Sequence, residues 1–233
     1  MSTEGRFAAK NSHRDQPAYG LAEAARYLKL PPATLRAWTF GRPYPTASGE
    51  GHFPPLIRPA SSRPPLLSFS NLIEAHVLRA LRTEHGVSVK AVRDAARFAE
   101  RKLQINRLLL SQELRTKAGD IFLDRYGELI NLSASGQLAM RHVLDAHLRR
   151  VVWEHKLPIR LYPFVSGQPA DATMPIAIDP RIAFGRPVVA SRGVSTAAIV
   201  ARIDAGEPLP EVAADYELSQ EEVEHAVLYE RAA

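Results

Sequence analysis

Apolar positions along this chain fall into helical stripes that are interrupted by proline-rich stretches. Leu21, Ala24, Ala25 and Leu28 recur at the spacing of one helix face. Pro31-Pro32 breaks that pattern, and Pro32 suits the first turn of a second helix through Ala33-Thr34-Leu35-Arg36-Ala37-Trp38. In that helix Leu35 and Trp38 are expected inward, and Thr34 and Arg36 outward. Two short helices around a tight turn predict a helix-turn-helix from Tyr19 to Phe40.

The next stretch, Gly41 to Pro65, holds seven prolines and excludes helix. So long a connection inside a compact domain usually carries function. Leu72, Ile73, His76, Val77, Ala80 and Leu81 then form a helical stripe that Gly86 ends. Ser88 is placed to cap another helix, with Val89, Val92, Ala96, Ala99 and Leu103 inward.

Short apolar runs at 121–123 and 129–132 flank Tyr126-Gly127-Glu128, a pattern that predicts a hairpin. After Gly136 a helix is expected to carry Val143, Leu144, His147, Leu148, Val151 and Val152 on one side. Leu157 to Pro163 reads as extended. The C-terminal part predicts three helices: Ser195 to Ala205, Pro208 to Asp215, and Ser219 to Arg231. Ser219 and Glu222 have the spacing of a capping box. The expected fold is mainly α. Its parts are a polar, mobile tail over 1–17, a winged helix-turn-helix head over 18–105, a small α/β connector over 106–165, and a helix-turn-helix tail with a short β segment over 166–233.

Composition alters this picture in two ways. The chain has no cysteine, which excludes disulfides, thiolate zinc sites and cysteine nucleophiles and fits a reducing cytoplasm. Its net charge of +5 is unevenly spread: residues 1–165 carry an excess of basic residues, and residues 166–233 an excess of acidic ones. A basic body attracts a polyanion, and an acidic tail repels one.

Candidate chemistry points to binding. No phosphate loop, dinucleotide fingerprint, nucleophile elbow or zinc-protease motif occurs, so the chain is read as a non-enzyme with no cofactor and no metal. Arg36 on the exposed face of the second helix could fork onto phosphate or a guanine edge. Thr34 could bond a phosphate near the helix start, or simply cap the helix. Arg42, His52, Arg58 and Arg63 lie along the extended arm, which suits a DNA-touching wing. The final helix holds Glu221, Glu222, Glu224 and Glu230, so it is read as a protein-binding or dimerising unit. Asp179-Pro180 reads as a turn. The histidines are scattered, and His142 and His147 do not share a helix face.

The segments Tyr19-Gly20-Leu21-Ala22-Glu23-Ala24-Ala25 and Thr34-Leu35-Arg36-Ala37-Trp38, with Leu67 to Leu72 and Gly86-Val87-Ser88 after the arm, resemble the MerR-type DNA-binding domain over about the first hundred residues. The arm is longer and richer in proline than usual, so contacts do not transfer to it by position. Ile178-Asp179-Pro180-Arg181, Gly185-Arg186-Pro187-Val188, Gly193-Val194 and Ala205-Gly206 resemble a small helix-turn-helix family often found beside genes for PIN-like ribonuclease toxins. The whole chain is similar to the large VapB-type antitoxins that join such a head to such a tail.

This resemblance implies an antitoxin that binds operator DNA at its own promoter and neutralises a PIN-like toxin. One short recognition helix covers too few base pairs, so a homodimer is expected, with the long helix through Val143 and Leu148 or the acidic tail as its interface. Such toxins hold magnesium in a carboxylate cluster, which an arginine could block. The candidates are Arg160, Arg181, Arg186 and Arg192, in extended or proline-stiffened stretches. Equally, these arginines could balance the acidic tail within their own domain. Two rival functions stay open: a MerR-like regulator with no toxin, and a hydrolase built on paired carboxylates in the middle module.

Overall fold

The computed structural model describes residues 13–46, 49–82, 89–165 and 173–232. Its helices and short antiparallel strands run β1 (Tyr19–Gly20), α1 (Leu21–Leu28), α2 (Pro32–Phe40), β2 (Arg42–Thr46), β3 (Gly49–Phe53), β4 (Ser61–Ser62), β5 (Pro65–Leu67), α3 (Phe69–Arg82) and α4 (Val89–Leu103). There follow α5 (Lys117–Leu129), α6 (Ala134–Arg149), β6 (Val151–Glu154), β7 (Leu157–Leu161), β8 (Ile176–Ala177), β9 (Val188–Val189), α7 (Thr196–Asp204), α8 (Leu209–Asp215) and α9 (Gln220–Arg231). The fold is mainly helical. Among the described residues no helix is long and apolar enough to cross a membrane.

Local chemistry explains the element ends. Tyr19-Gly20 is a strand, not the first turn of a helix: it pairs antiparallel with Leu66-Leu67 of β5. The Gly20 amide then donates to Glu23 Oε2 at 3.3 Å and caps α1. Lys29, at φ 52°, closes α1 in left-handed backbone, and Pro32 opens α2. At the far end the capping box is formed: the Glu222 amide donates to Ser219 Oγ at 3.2 Å, and the Ser219 amide to Glu222 Oε2 at 2.8 Å.

Residues 121–132 do not form a hairpin. They lie mostly in α5, whose buried stripe of Ala118, Phe122 and Tyr126, flanked by Gly119, Leu123 and Gly127, has helical spacing. Gly127 sits inside this helix because Gln137 of α6 covers it; a Cβ there would meet Gln137 Nε2 at 2.6 Å. The expected α6 also ends early. Val151 and Val152 leave the helix and pair with Leu161 and Arg160, as suits a β-branched run.

Two apolar clusters organise the chain. The first runs without a break from Tyr19 through Leu161 and takes in Ile178, so the expected connector shares one core with the head. Within it α3 packs on α6 and α4 on α5. Leu148, expected at a dimer interface, is fully buried there. The second cluster belongs to the tail and gathers Val165, Ile176, Val189, Ile199, Val212, Val223 and Tyr229. The mobile tail expected over 1–17 falls largely outside the described residues; His13–Asp15 form a 3-10 turn, and Asp15 Oδ1 accepts from Ser70 Oγ at 2.6 Å. The predicted stop at Gly86 and cap at Ser88 also lie outside the described residues.

Candidate DNA-reading and partner-binding surfaces

In α2 the inner face is Leu35 and Trp38, both in the core, and Arg36 is exposed. Thr34 does not face outward as expected; at 9% exposure it is buried beside Leu35. Helical geometry accounts for this, since Thr34 and Trp38 are four residues apart and share a face.

Helix α2 runs through Gly41 into the β2–β3 hairpin. Gly41 has φ +74°, and a Cβ there would meet the Phe53 carbonyl oxygen at 2.1 Å, so only glycine fits this corner. His52 lies at the same corner, its Nε2 3.3 Å from the Phe40 carbonyl oxygen. That contact braces the hairpin against the end of α2. The Arg42 guanidinium lies 5.5 Å from the centre of the Phe53 ring, and Phe53 packs on Tyr44 at 4.1 Å. The structure thus brings Arg42 and His52 together at the base of one hairpin that continues directly from the Arg36 helix.

Arg58 and Arg63 sit apart from that corner. Arg63 lies in the turn between β4 and β5 of the other sheet. Arg58 lines a cavity of about 620 Å³ between the 54–60 loop, α3 and α4. Glu74 in this cavity is buried and takes a two-pronged contact from Arg107, at 3.0 and 2.9 Å, and a bond from Asn71 Nδ2 at 2.9 Å. Asp15 also faces Arg107, at 3.5 Å, and Glu100 accepts the Leu108 amide at 2.9 Å. Each of these carboxylates has a partner, an arrangement that suits a braced structural network rather than an acid–base pair. Among the described residues no group of three or more histidine or carboxylate side chains is arranged to hold a metal ion.

The four arginines expected to meet the toxin divide. Arg160 and Arg181 converge on Asp179, which is fully buried. Asp179 Oδ2 accepts Arg160 Nε at 3.2 Å and Arg181 Nη2 at 2.9 Å; Oδ1 accepts Arg181 Nε at 3.0 Å and the Arg181 amide at 2.9 Å. Burial works against the charge on this carboxyl, but the bonds from Arg181 and Arg160 outweigh it and hold the group below its usual range. Arg192 pairs with Glu217 at 3.1 Å on the surface. Arg186 is exposed and makes no ion pair among the described residues. Sequence reasoning missed its neighbour Phe184, which is exposed on a left-handed turn.

It also missed how the tail sits on the head. The Tyr229 hydroxyl of α9 donates to the Tyr27 carbonyl of α1 at 2.8 Å. Arg26 pairs with Glu230, and Lys29 Nζ donates to the Tyr229 carbonyl and lies 4.1 Å from the centre of that ring. Burial lowers the Lys29 ammonium to about 8. The Tyr19 hydroxyl reaches the Gly185 carbonyl at 3.1 Å. Leu161 and Ile178 exchange backbone bonds at 2.9 and 2.8 Å, joining the middle hairpin to the tail.

Comparison with known proteins follows the same division. A family described as "Putative DNA-binding HTH domain" matches residues 17–96, and one described as "Protein of unknown function (DUF433)" matches residues 176–229. The chain is 31% identical to "Putative antitoxin VapB45" of Mycobacterium tuberculosis, over 91% of this chain and 93% of the relative. It is 27% identical to "Uncharacterized protein Rv2308" of the same organism, over 92% and 90%. The crystal structure of Rv2018, also from M. tuberculosis, superposes with a TM-score of 0.65 at 25% identity, covering 91% of this chain and 97% of that one. With similarity running over nearly the whole of both chains, the protein belongs to the family of the putative antitoxin VapB45.

Proposed function

We propose that this protein is the antitoxin of a type II toxin–antitoxin pair. Its MerR-like winged head binds operator DNA and represses its own promoter, and its tail holds a PIN-like ribonuclease toxin inactive. The observation that carries the DNA half is the continuity of α2, with Arg36 exposed on it, into the β2–β3 hairpin that holds Arg42 and His52. Arg36 reads a base edge or phosphate, and Arg42 on the hairpin holds the backbone. A short recognition helix covers few base pairs, so the protein acts as a homodimer on paired half-sites. With Leu148 in the core, the dimer contact falls to the tail.

The toxin half rests on kinship to an antitoxin and on the turn that carries Arg186. An exposed guanidinium free of a carboxylate can enter a metal-binding carboxylate cluster without breaking an existing pair. Arg160 and Arg181 are tied to Asp179 and act mainly to brace that turn.

The test uses the full chain and the toxin gene expected beside its own. Binding to its promoter DNA should weaken steeply between 50 and 200 mM salt, by roughly three orders of magnitude if six phosphates are contacted. Arg36→Ala should cost about 1–3 kcal/mol of operator affinity. Co-expression should rescue cells from the toxin and yield a complex that Arg186→Glu disrupts. Full operator binding by Arg36→Ala would remove the DNA assignment, and failure to rescue would remove the antitoxin assignment. The cavity lined by Arg58, Arg93 and Arg97 favours one alternative, a regulator that answers to a small ligand and has no toxin. Operator binding that changes with a metabolite, and no rescue, would support it.

A further inference from the structure

Phe184 is 93% exposed, and the backbone that presents it adopts a conformation that side chains rarely take. Ala183, Phe184 and Gly185 have successive φ values of 47°, 56° and 76°. Glycine enters this left-handed region freely, but a bulky residue there is an outlier. A lone apolar side chain on a surface needs no explanation. Strained backbone persists only where its surroundings over-determine it, and such places cluster at functional sites.

The determinants are visible here. The Gly185 amide donates to the Ile182 carbonyl at 2.9 Å, and the Arg186 amide to the Ala183 carbonyl at 3.1 Å. The Gly185 carbonyl accepts the Tyr19 hydroxyl from the head. Upstream, the Ile182 amide donates to the carbonyl of Asp179, whose carboxylate is clamped by Arg160 and Arg181. The turn is therefore braced on both sides, by a head tyrosine and by a buried ion cluster. Two residues beyond Phe184 the chain exposes Arg186, which makes no ion pair among the described residues; Arg181, three residues before Phe184, is held by Asp179 and lies 3.9 Å from Glu154.

We propose that Phe184 is the anchor of the toxin-binding surface, a rigid aromatic finger that enters an apolar pocket on an acidic protein. Arg186 pairs with carboxylates around that pocket, while Arg181 stays with Asp179 and stiffens the turn. Charge complementarity selects this occupant: the tail is acidic overall, yet this turn exposes Arg186, a cation with no ion pair among the described residues, two positions from an exposed apolar ring. Aromatic and arginine side chains dominate binding hot spots, and a ring already held in place loses little freedom on docking. The proposal rests on the reading of the tail as the toxin-neutralising part.

The test measures binding of the purified full chain to the purified toxin of its own operon, by calorimetry. Phe184→Ala should weaken binding by about thirtyfold or more, the loss typical of a hot-spot residue. Phe184→Trp should keep most of the affinity. Phe184→Gly should lose binding while melting no lower than the parent, because glycine relieves the left-handed strain; this separates lost contact from misfolding. Operator affinity and mass by light scattering should stay unchanged in all three variants. If Phe184→Ala binds the toxin like the parent while Arg186→Glu does not, the finger is wrong and the tail reading stands. If neither change alters toxin binding, the tail reading fails and the finger with it. A loss of operator affinity or a change in mass with Phe184→Ala would assign the ring to DNA or to a second copy, and would overturn the proposal.

Discussion

Tyr229 donates its hydroxyl to the backbone carbonyl of Tyr27 at 2.8 Å, joining the last helix of the chain to the first. Burial pushes the Tyr229 phenol well above its usual value, so it stays a donor throughout the physiological range. Tyr229→Phe keeps the ring and removes this bond, leaving a buried carbonyl unsatisfied. The expected cost is about 1–2 kcal/mol in urea unfolding. Hydrogen exchange should quicken in α9 and in the last turn of α1 together. Acceleration confined to α9 would show that the two helices open independently.

Gly185 and Tyr19 form the second tie between tail and head. A Cβ at position 185 would lie 2.1 Å from the Tyr19 hydroxyl oxygen, and the backbone there is left-handed. Gly185→Ala should destabilise by roughly 2–4 kcal/mol through clash and strain. Tyr19→Phe removes the atom that is hit, so the double variant should be more stable than the sum of the single effects allows. A double-mutant cycle by thermal denaturation measures this coupling; strict additivity would mean that the two residues do not meet.

Asp179 supplies the negative charge on which Arg160 and Arg181 converge. Asp179→Asn leaves both arginines without it. Removing one partner of a fully buried pair costs about 3–5 kcal/mol, but Arg181 is half exposed, so about 2–3 kcal/mol is expected here. The loss should appear in the tail's unfolding transition and in weaker toxin binding, with operator binding retained. An undiminished melting temperature would show the cluster to be dispensable.

Acid should loosen the core between α3 and α6. The His76 ring nitrogen meets the His147 carbonyl at 3.0 Å, and the rings lie 5.0 Å apart. Burial lowers His147 to about 4 and takes His76 well below its ordinary value. Their folded values lie below the unfolded value near 6.5, so the unfolded chain binds more protons in between. Stability is therefore complete above about pH 6.5 and is lost as the pH falls toward 4. His147 alone contributes on the order of 3 kcal/mol of that loss. His147→Gln should flatten the profile in this window when urea midpoints are compared at pH 7 and pH 4.5.

Helices with strong local signals were legible in the sequence. The Leu35–Trp38 face, the α3 stripe and the Ser219–Glu222 capping box occur where spacing placed them, because each depends on neighbours a few residues away. Readings failed where a distant partner decides. Gly127 reads as a turn until Gln137 covers it, and Val151 continues a helical stripe until Leu161 pairs with it. The arginines show the same limit. Arg160 and Asp179 are nineteen residues apart, and nothing local reveals that one neutralises the other. Phe184 carried no signal either: an isolated phenylalanine is ordinarily counted toward a core, and only its exposure in the folded chain reveals that it points away.

The Tyr27–Tyr229 contact has a consequence for the order of synthesis. The two residues are separated by 202 positions. At the usual pace of translation the first helix waits roughly 10–40 s before its partner leaves the ribosome. During that interval the side of α1 facing Tyr229 stays uncovered. A chain that stops short of Tyr229, or is clipped there by a protease, therefore leaves α1, the helix that leads into α2, without that cover.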